Sequence, residues 1–231
     1  MGPKASIEVI APTRGRPTRA AYMADSWDRT RESSSTRLTL VLDPEDTHVA
    51  EYRGLAMGQP WFVAEYDTGN MVQRTNYAAR RIRADIYGWA ADDNVFVTRG
   101  WDEAVREAFA DPGITTVNTN DLLVGDEKGG VYFVRSDAVR ALGWLLPPFL
   151  SHLYVDFAIT SLAKRAGTYK YLEDVIIEHR HPYAGKAPWD DLYRSVNNPE
   201  QDTRDREAFY QWWNGEGAAN DVEVLRACTR G

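Results

Sequence analysis

Apolar runs of strand length alternate with amphipathic stretches through the first part of the chain. Ile7-Glu8-Val9-Ile10-Ala11 is short, rich in β-branched residues and stopped by Pro12, which predicts a strand. A polar loop from Pro12 to Pro17 follows, and Thr18 can cap a helix running to about Arg31. Leu38-Thr39-Leu40-Val41-Leu42 predicts a second buried strand, ending at Asp43-Pro44, with Asp46 or Thr47 opening a helix to about Met57. Trp61 to Ala64 reads as a third strand, and after Gly69 a helix spans Met71 to Ala84. Ile86 to Ala91 is a fourth strand that runs straight into Asp92-Asp93-Asn94.

Strand and helix thus alternate about four times. That pattern predicts an α/β fold with a mostly parallel central sheet and helices on both faces. In such sheets ligands sit beyond the carboxyl ends of the strands. Three of those ends carry polar loops: Thr13 to Arg16, Asp43, and Asp92-Asp93.

The second half is less regular. Gly100-Trp101-Asp102 opens a short helix, Ile114 to Val117 and Val131 to Val134 read as strands, and Gly129-Gly130 precedes the latter. Ser136 can cap a helix to Leu142, and Leu145 to Leu153 is apolar and loop-like. A helix from about Tyr154 ends at Gly167, and Val175 to Ile177 is a last strand before Glu178-His179-Arg180-His181-Pro182. The polar tail holds one helix around Arg204 to Trp213. These readings divide the chain into a main domain over 1–195 and a helical extension over 196–231 packed on it.

Composition narrows the classes. The 231 residues suit one domain with a short appendage. A net charge of -7 argues against binding nucleic acid by bulk electrostatics. The single cysteine, Cys228, excludes an internal disulfide and fits a reducing cytoplasm. No apolar run is long enough to span a membrane and no signal-peptide stretch is seen. Met1-Gly2 with Ser6 matches only the bare myristoylation pattern.

Chemistry concentrates at few places. Two adjacent carboxylates ending an apolar strand are costly unless a positive partner joins them. A hard divalent cation bound by diphosphate oxygens would satisfy Asp92 and Asp93, and a turn or helix cap is the plainer alternative. His179 and His181 point to one face if the strand continues, and either ring can complete such a site. Arg14, Arg16, Arg74 and Lys186 are the candidates for diphosphate contacts. Arg80, Arg81 and Arg83 read as a solvated helix face. Asp156, near a helix start, is either a general base or a first-turn acid favoured by the helix dipole. Trp101, Trp144 and Trp189 can stack on a sugar or fill the core. No GxxxxGK[ST], GxGxxG, HExxH or GxSxG motif occurs.

The series Ile7 to Arg16, Leu38 to Asp43, Arg74-x-Asn76, Ala91-Asp92-Asp93-Asn94, Gly100-Trp101-Asp102, Tyr154-Val155-Asp156 and Glu178 to Pro182 resembles GT-A glycosyltransferases related to family 2. The likeness extends to small enzymes of that type encoded by bacteriophages, and would place the chain in a host cytoplasm. It implies a GT-A fold and a nucleotide-sugar donor, a UDP-sugar foremost. Pro12, Thr13, Arg14 and Asp43 would hold base and ribose, with Arg74 and Asn76 lining the same pocket. Asp92 and Asp93 would stand at the family's DxD position, with Asp93 the better ligand of Mn²⁺ or Mg²⁺. Asn94 departs from the expected acidic run. His179 or His181 would match a late histidine ligand, and Asp156 the base of inverting members.

A phage-type enzyme could glycosylate hydroxymethylated DNA bases, virion protein or glycans. DNA would need a basic track, for which Arg80, Arg81, Arg83, Arg135 and Arg140 are the candidates. A nucleotidyltransferase would carry a Gly-rich first loop with a lysine, which Pro12 to Pro17 lacks. A non-catalytic nucleotide-sugar-binding module is the third alternative.

Overall fold

The computed structural model describes residues 4–127 and 130–230, so the Met1-Gly2 pattern and Gly129 lie outside the described residues. Eight strands form one sheet: β1 (Ile7–Thr13), β2 (Thr36–Leu42), β3 (Phe62–Glu65), β4 (Ile86–Trp89), β5 (Asn94–Phe96), β6 (Thr116–Asn120), β7 (Tyr132–Arg135) and β8 (Tyr169–His179). Their spatial order is β3-β2-β1-β4-β7-β6-β8-β5.

The expected parallel block is present, since β1 pairs in parallel with β2 and β4, and β2 with β3. The sheet as a whole is mixed, which corrects the expectation of a mostly parallel one. β7 runs antiparallel to both β4 and β6, and β5 runs antiparallel to β8. For β6 and β7 the physical reason is the connection: a parallel return needs a crossover, usually a helix, and among the described residues no helix lies between them.

Helices α1 (Pro17–Thr30), α2 (Val49–Ala56) and α4 (Trp101–Ala108) cover one face. Their shared core holds Ile7, Val9, Trp27, Leu40, Trp101 and Phe133. Helices α3 (Met71–Arg81), α5 (Ser136–Leu142) and α6 (Val155–Ala166) cover the other, around Ile10, Val41, Tyr132, Ile159 and Leu162. Side-chain alternation along β1 sends Ile7, Val9 and Ala11 to the first core and Ile10 to the second. Glu8 is also buried, and Arg37 and Thr39 satisfy its carboxylate.

Two segments differ from expectation. β8 starts at Tyr169 rather than Val175, because Tyr169 to Leu172 pair with β6 before an irregularity hands the strand on to β5. The tail is more helical than its polarity suggests: α7 (Asp191–Val196), α8 (Pro199–Asn214) and α9 (Glu216–Ala227). Asn198 accepts from the Gln201 N–H and Pro199 occupies the first turn, so α8 starts well before Arg204. Phe209 and Trp212 of α8, with Ala218, Val222 and Leu225 of α9, join the core beneath α5 and α6.

Candidate active site

The turn after β4 is closed by Asn94. Its side-chain oxygen accepts from the Ala91 N–H at 2.6 Å, and its own N–H reaches the Ala91 carbonyl. The residue that breaks the acidic run therefore shapes the turn that presents Asp92 and Asp93. The neighbouring register completes the placement: Asn94 pairs with His179 across β5 and β8, and the Arg180 N–H bonds the Asp93 carbonyl at 2.9 Å. An antiparallel pairing of two short segments thus brings His179 to Asp93.

The two acids are buried side by side in different circumstances. Asp92 accepts from Thr13 Oγ1 at 2.7 Å and from Arg16 at 3.2 Å, so each of its oxygens has a partner. Burial and the Asp93 charge raise its pKa to about 6 despite Arg16 and Thr13. Asp93 Oδ2 is shared by the Tyr193 hydroxyl at 2.7 Å and His179 Nε2 at 3.3 Å. Burial opposes its ionisation, but the His179 and Tyr193 contacts outweigh burial and lower its pKa. Asp93 Oδ1 is buried with no hydrogen-bond partner. An orphaned carboxylate oxygen beside an imidazole fits one edge of a cation site. Among the described residues no three His, Cys, Asp or Glu side chains form a ready-made cage. A metal here would draw its remaining ligands from water or a ligand's oxygens.

His181 plays a different part. Its Nδ1 accepts from the Tyr183 N–H, and its ring packs against Tyr183, Tyr193 and Trp189. Arg16 is a bridge: one guanidinium nitrogen reaches Asp92, another Asp190, and the group lies 3.8 Å from the Tyr193 ring centroid. Asp190 also caps α7 through the Tyr193 N–H. This ties α7 to the end of β1.

The other expected donor residues fall at separate places in the fold. Asp43 pairs with Arg74 at 3.0 Å and with exposed Arg14 at 3.3 Å, beyond the end of β2. Arg74 is itself anchored to the Tyr66 and Gly69 carbonyls. Pro12, Arg16, Asp92 and Asp93 line one cleft of about 390 Å³. Lys186, paired with Glu178 at 2.9 Å, lies instead in a recess on the other side of the acids. Asn76 is not brought to the acids: its buried amide is engaged by the Leu145 and Leu146 N–H groups and the Leu146 carbonyl.

Asp156 lies in the first turn of α6 and lines both the 390 Å³ cleft and a neighbouring groove of about 730 Å³. Burial raises its pKa to about 6. Tyr154, the residue before α6, has φ of 66°, a left-handed conformation unusual for a side chain of its size. Buried Asp205 of α8 holds that turn by accepting from the Ser151, His152 and Leu153 N–H groups at 3.0, 3.0 and 2.8 Å.

Sequence reasoning missed Tyr193, Tyr52, Asp190 and Asp205. Asp190 ahead of an amphipathic turn carries a readable capping signal. Tyr52, which contacts Thr13 and the Arg16 N–H, and Asp205 carry none, because their roles rest on distant partners. Trp101 is a core residue against Phe96 and Phe133, and Trp189 alone of the three tryptophans lies beside His181. The proposed basic track is dispersed. Arg80, Arg83 and Arg140 line a cavity at the starts of β1 and β4, the opposite end from Asp92. Arg81 stacks on Tyr77, and Arg135 is tied to Asp137 and three carbonyls.

No family model matches the sequence, and no curated protein matches it. Solved structures match in fold. A mannosyltransferase from Pyrobaculum calidifontis, in complex with GDP-Man and Mn²⁺, is similar over 98% of this chain and 74% of its own, at 13% identity and a TM-score of 0.63. S. aureus TarS 1-349 in complex with UDP-GlcNAc is similar over 95% of this chain and 70% of its own, at 10% identity and a TM-score of 0.66. Glucosyl-3-phosphoglycerate synthase from Mycobacterium tuberculosis, with Mn²⁺, UDP and glucosyl-3-phosphoglycerate, covers 81% of this chain and 75% of its own, at 13% identity and a TM-score of 0.58. The chain therefore has the mixed α/β fold of these glycosyltransferases.

Proposed function

We propose that the chain is a metal-dependent glycosyltransferase that moves a sugar from a nucleotide sugar, a UDP-sugar foremost, to an acceptor hydroxyl. The observation that carries this reading is the contrast within the acidic pair. Asp92 is closed by Thr13 and Arg16, whereas Asp93 keeps one buried oxygen without a partner beside His179. Asp93 and His179 would hold Mn²⁺ or Mg²⁺. When bound, the metal supplies positive charge against the charge growing on the departing nucleoside diphosphate.

The remaining work belongs to the chain. Asp43, Arg14 and Arg74 form a polar rim beyond β2 suited to base and ribose, together with Pro12 and Thr13. Arg16 keeps Asp92 ionisable and fixes α7 over the cleft. Asp156, at the junction of cleft and groove, accepts the proton of the acceptor hydroxyl. A carboxyl with a pKa near 6 is a stronger base than an ordinary aspartate and is still ionised at neutral pH.

Hydroxymethylated DNA, virion protein and glycans are the acceptor classes under consideration. DNA has the least support, because Arg80, Arg83 and Arg140 gather at the opposite end of the sheet.

The test is nucleoside diphosphate release from UDP-, GDP- and dTDP-sugars with Mn²⁺, with EDTA, and with Asp93→Asn. Release that needs the metal and falls in the variant supports the reading. Release by the variant at the wild-type rate refutes the role of Asp93, and no release from any donor refutes the enzyme.

A further inference from the structure

The groove beyond Asp156 differs in chemistry from the cleft that holds Asp92 and Asp93. It measures about 730 Å³ and shares Leu153, Tyr154, Asp156, Tyr183 and Asn197 with the cleft, so the two spaces are continuous. Its far wall comes from α8 and the residues before it, including Asp202 and Tyr210. Among the described residues, no Lys, Arg or His lines it. Arg206, on the same helix, is bound to Asp202 at 2.7 Å.

That charge pattern selects against phosphate. A phosphorylated acceptor would find the Asp156 carboxyl and, among the described lining residues, no cation to receive it, because Arg206 is already committed to Asp202. The same walls suit hydroxyl groups, which both donate and accept. The Asp202 carboxylate, the Tyr154 hydroxyl bonded to it at 3.0 Å, and the Asn197 amide offer partners of both kinds. Two aromatic rings complete the set. Tyr183 is 72% exposed and Tyr210 is 49% exposed, unusually open for tyrosines. Wide aromatic faces beside polar groups form a surface on which a ring with an apolar face and polar edges can lie.

The geometry points to a neutral, polyhydroxylated acceptor, a carbohydrate, seated on Tyr183 and Tyr210 with one hydroxyl directed at Asp156. This rests on the glycosyltransferase reading for the transfer itself, while binding in the groove does not. In the transfer, the acceptor oxygen bonds to the donor sugar's anomeric carbon as the carbon–oxygen bond to the diphosphate breaks. The hydroxyl proton passes to Asp156 and the bonding pair leaves with the nucleoside diphosphate.

The experiment has a binding arm and a transfer arm. Saturation-transfer NMR on the full chain uses methyl glycosides of glucose, galactose, mannose and N-acetylglucosamine, maltotriose and cellotriose, and the 6-phosphates of the same monosaccharides. Signal to at least one neutral glycoside, lost in Tyr210→Ala and in Tyr183→Ala and weak for the phosphates, is expected. Absence of signal to every neutral glycoside, or signal unchanged in both variants, overturns the assignment. In the transfer arm, the bound glycoside should raise diphosphate release at least tenfold over donor hydrolysis. Tyr210→Ala should raise its KM at least tenfold and leave donor hydrolysis unchanged. Acceleration by sugar phosphates or hydroxymethylcytosine duplex, and by no neutral glycoside, also overturns it. A chain that binds the glycoside but hydrolyses no donor keeps the groove and loses the glycosyltransferase reading.

Discussion

The wall around Asp92 and the wall around Asp156 are built in opposite ways. Asp92 and Asp93 stand just past β4, beside the end of the neighbouring β1, and the partners of Asp92 are Thr13 at that strand end and Arg16 in the loop after it. Asp156 stands on a helix start whose preceding turn is held by Asp205, 49 residues later, through three backbone N–H groups. The first wall is rigid because the sheet is rigid. The second is only as well placed as the packing of α8. Charge follows the same division: the cleft mixes Arg16 and His179 with its acids, whereas no cation is among the described residues lining the groove, where Arg206 is committed to Asp202.

Four experiments probe that contrast, and the base should show the largest effect. Asp156→Asn should lower kcat for transfer by about 10²- to 10⁴-fold. The wild-type pH profile should bear its mark, because the base acts only when ionised. Activity should hold above about pH 6 and decline as the pH falls through that value, and Asp156→Asn should flatten the limb. A wild-type profile without an acidic limb would remove Asp156 from the reaction.

Asp93→Asn should come next, with a loss of about 10²-fold or more in metal-dependent diphosphate release and no loss of helical signal. Asp205→Ala probes the other wall without touching either acid. It strands three backbone N–H groups and should cost about 3 kcal/mol in denaturant unfolding. Transfer should suffer more than donor hydrolysis, and equal losses would show that α8 supports the whole domain rather than the groove. The smallest effect is expected from Thr13→Val, which removes one hydrogen bond to Asp92. About 1 kcal/mol of stability and a few-fold loss of activity are expected, readable by thermal unfolding and steady-state rates.

Much of the first wall was legible in advance. The apolar runs of β1, β2 and β4, their polar C-terminal loops and the Asp92-Asp93 pair all follow from local pattern, since a strand end in a parallel block has a known neighbourhood. Asp43, Arg14 and Arg74 also meet beyond β2. The choice between His179 and His181 was not legible, because the two lie two residues apart at the end of one apolar run and only the pairing of Asn94 with His179, the last residue of β8, separates them. Asn76 shows the reverse. An amide on a helix near the donor residues engages two leucine backbones instead, which no local pattern reveals.

By itself the sequence determined the alternating elements, the acids at a strand end and a net charge that argues against binding nucleic acid by bulk electrostatics. These depend on side-chain period, chain-breaking residues and net charge, all local or additive properties. Tertiary structure alone decided that the sheet is mixed, that Asp93 rather than Asp92 keeps a free oxygen, and that the tail holds the turn before Asp156. Each of those depends on which distant segments pair or pack. Pairing between remote segments is set by the competition of the whole chain for buried surface and satisfied hydrogen bonds.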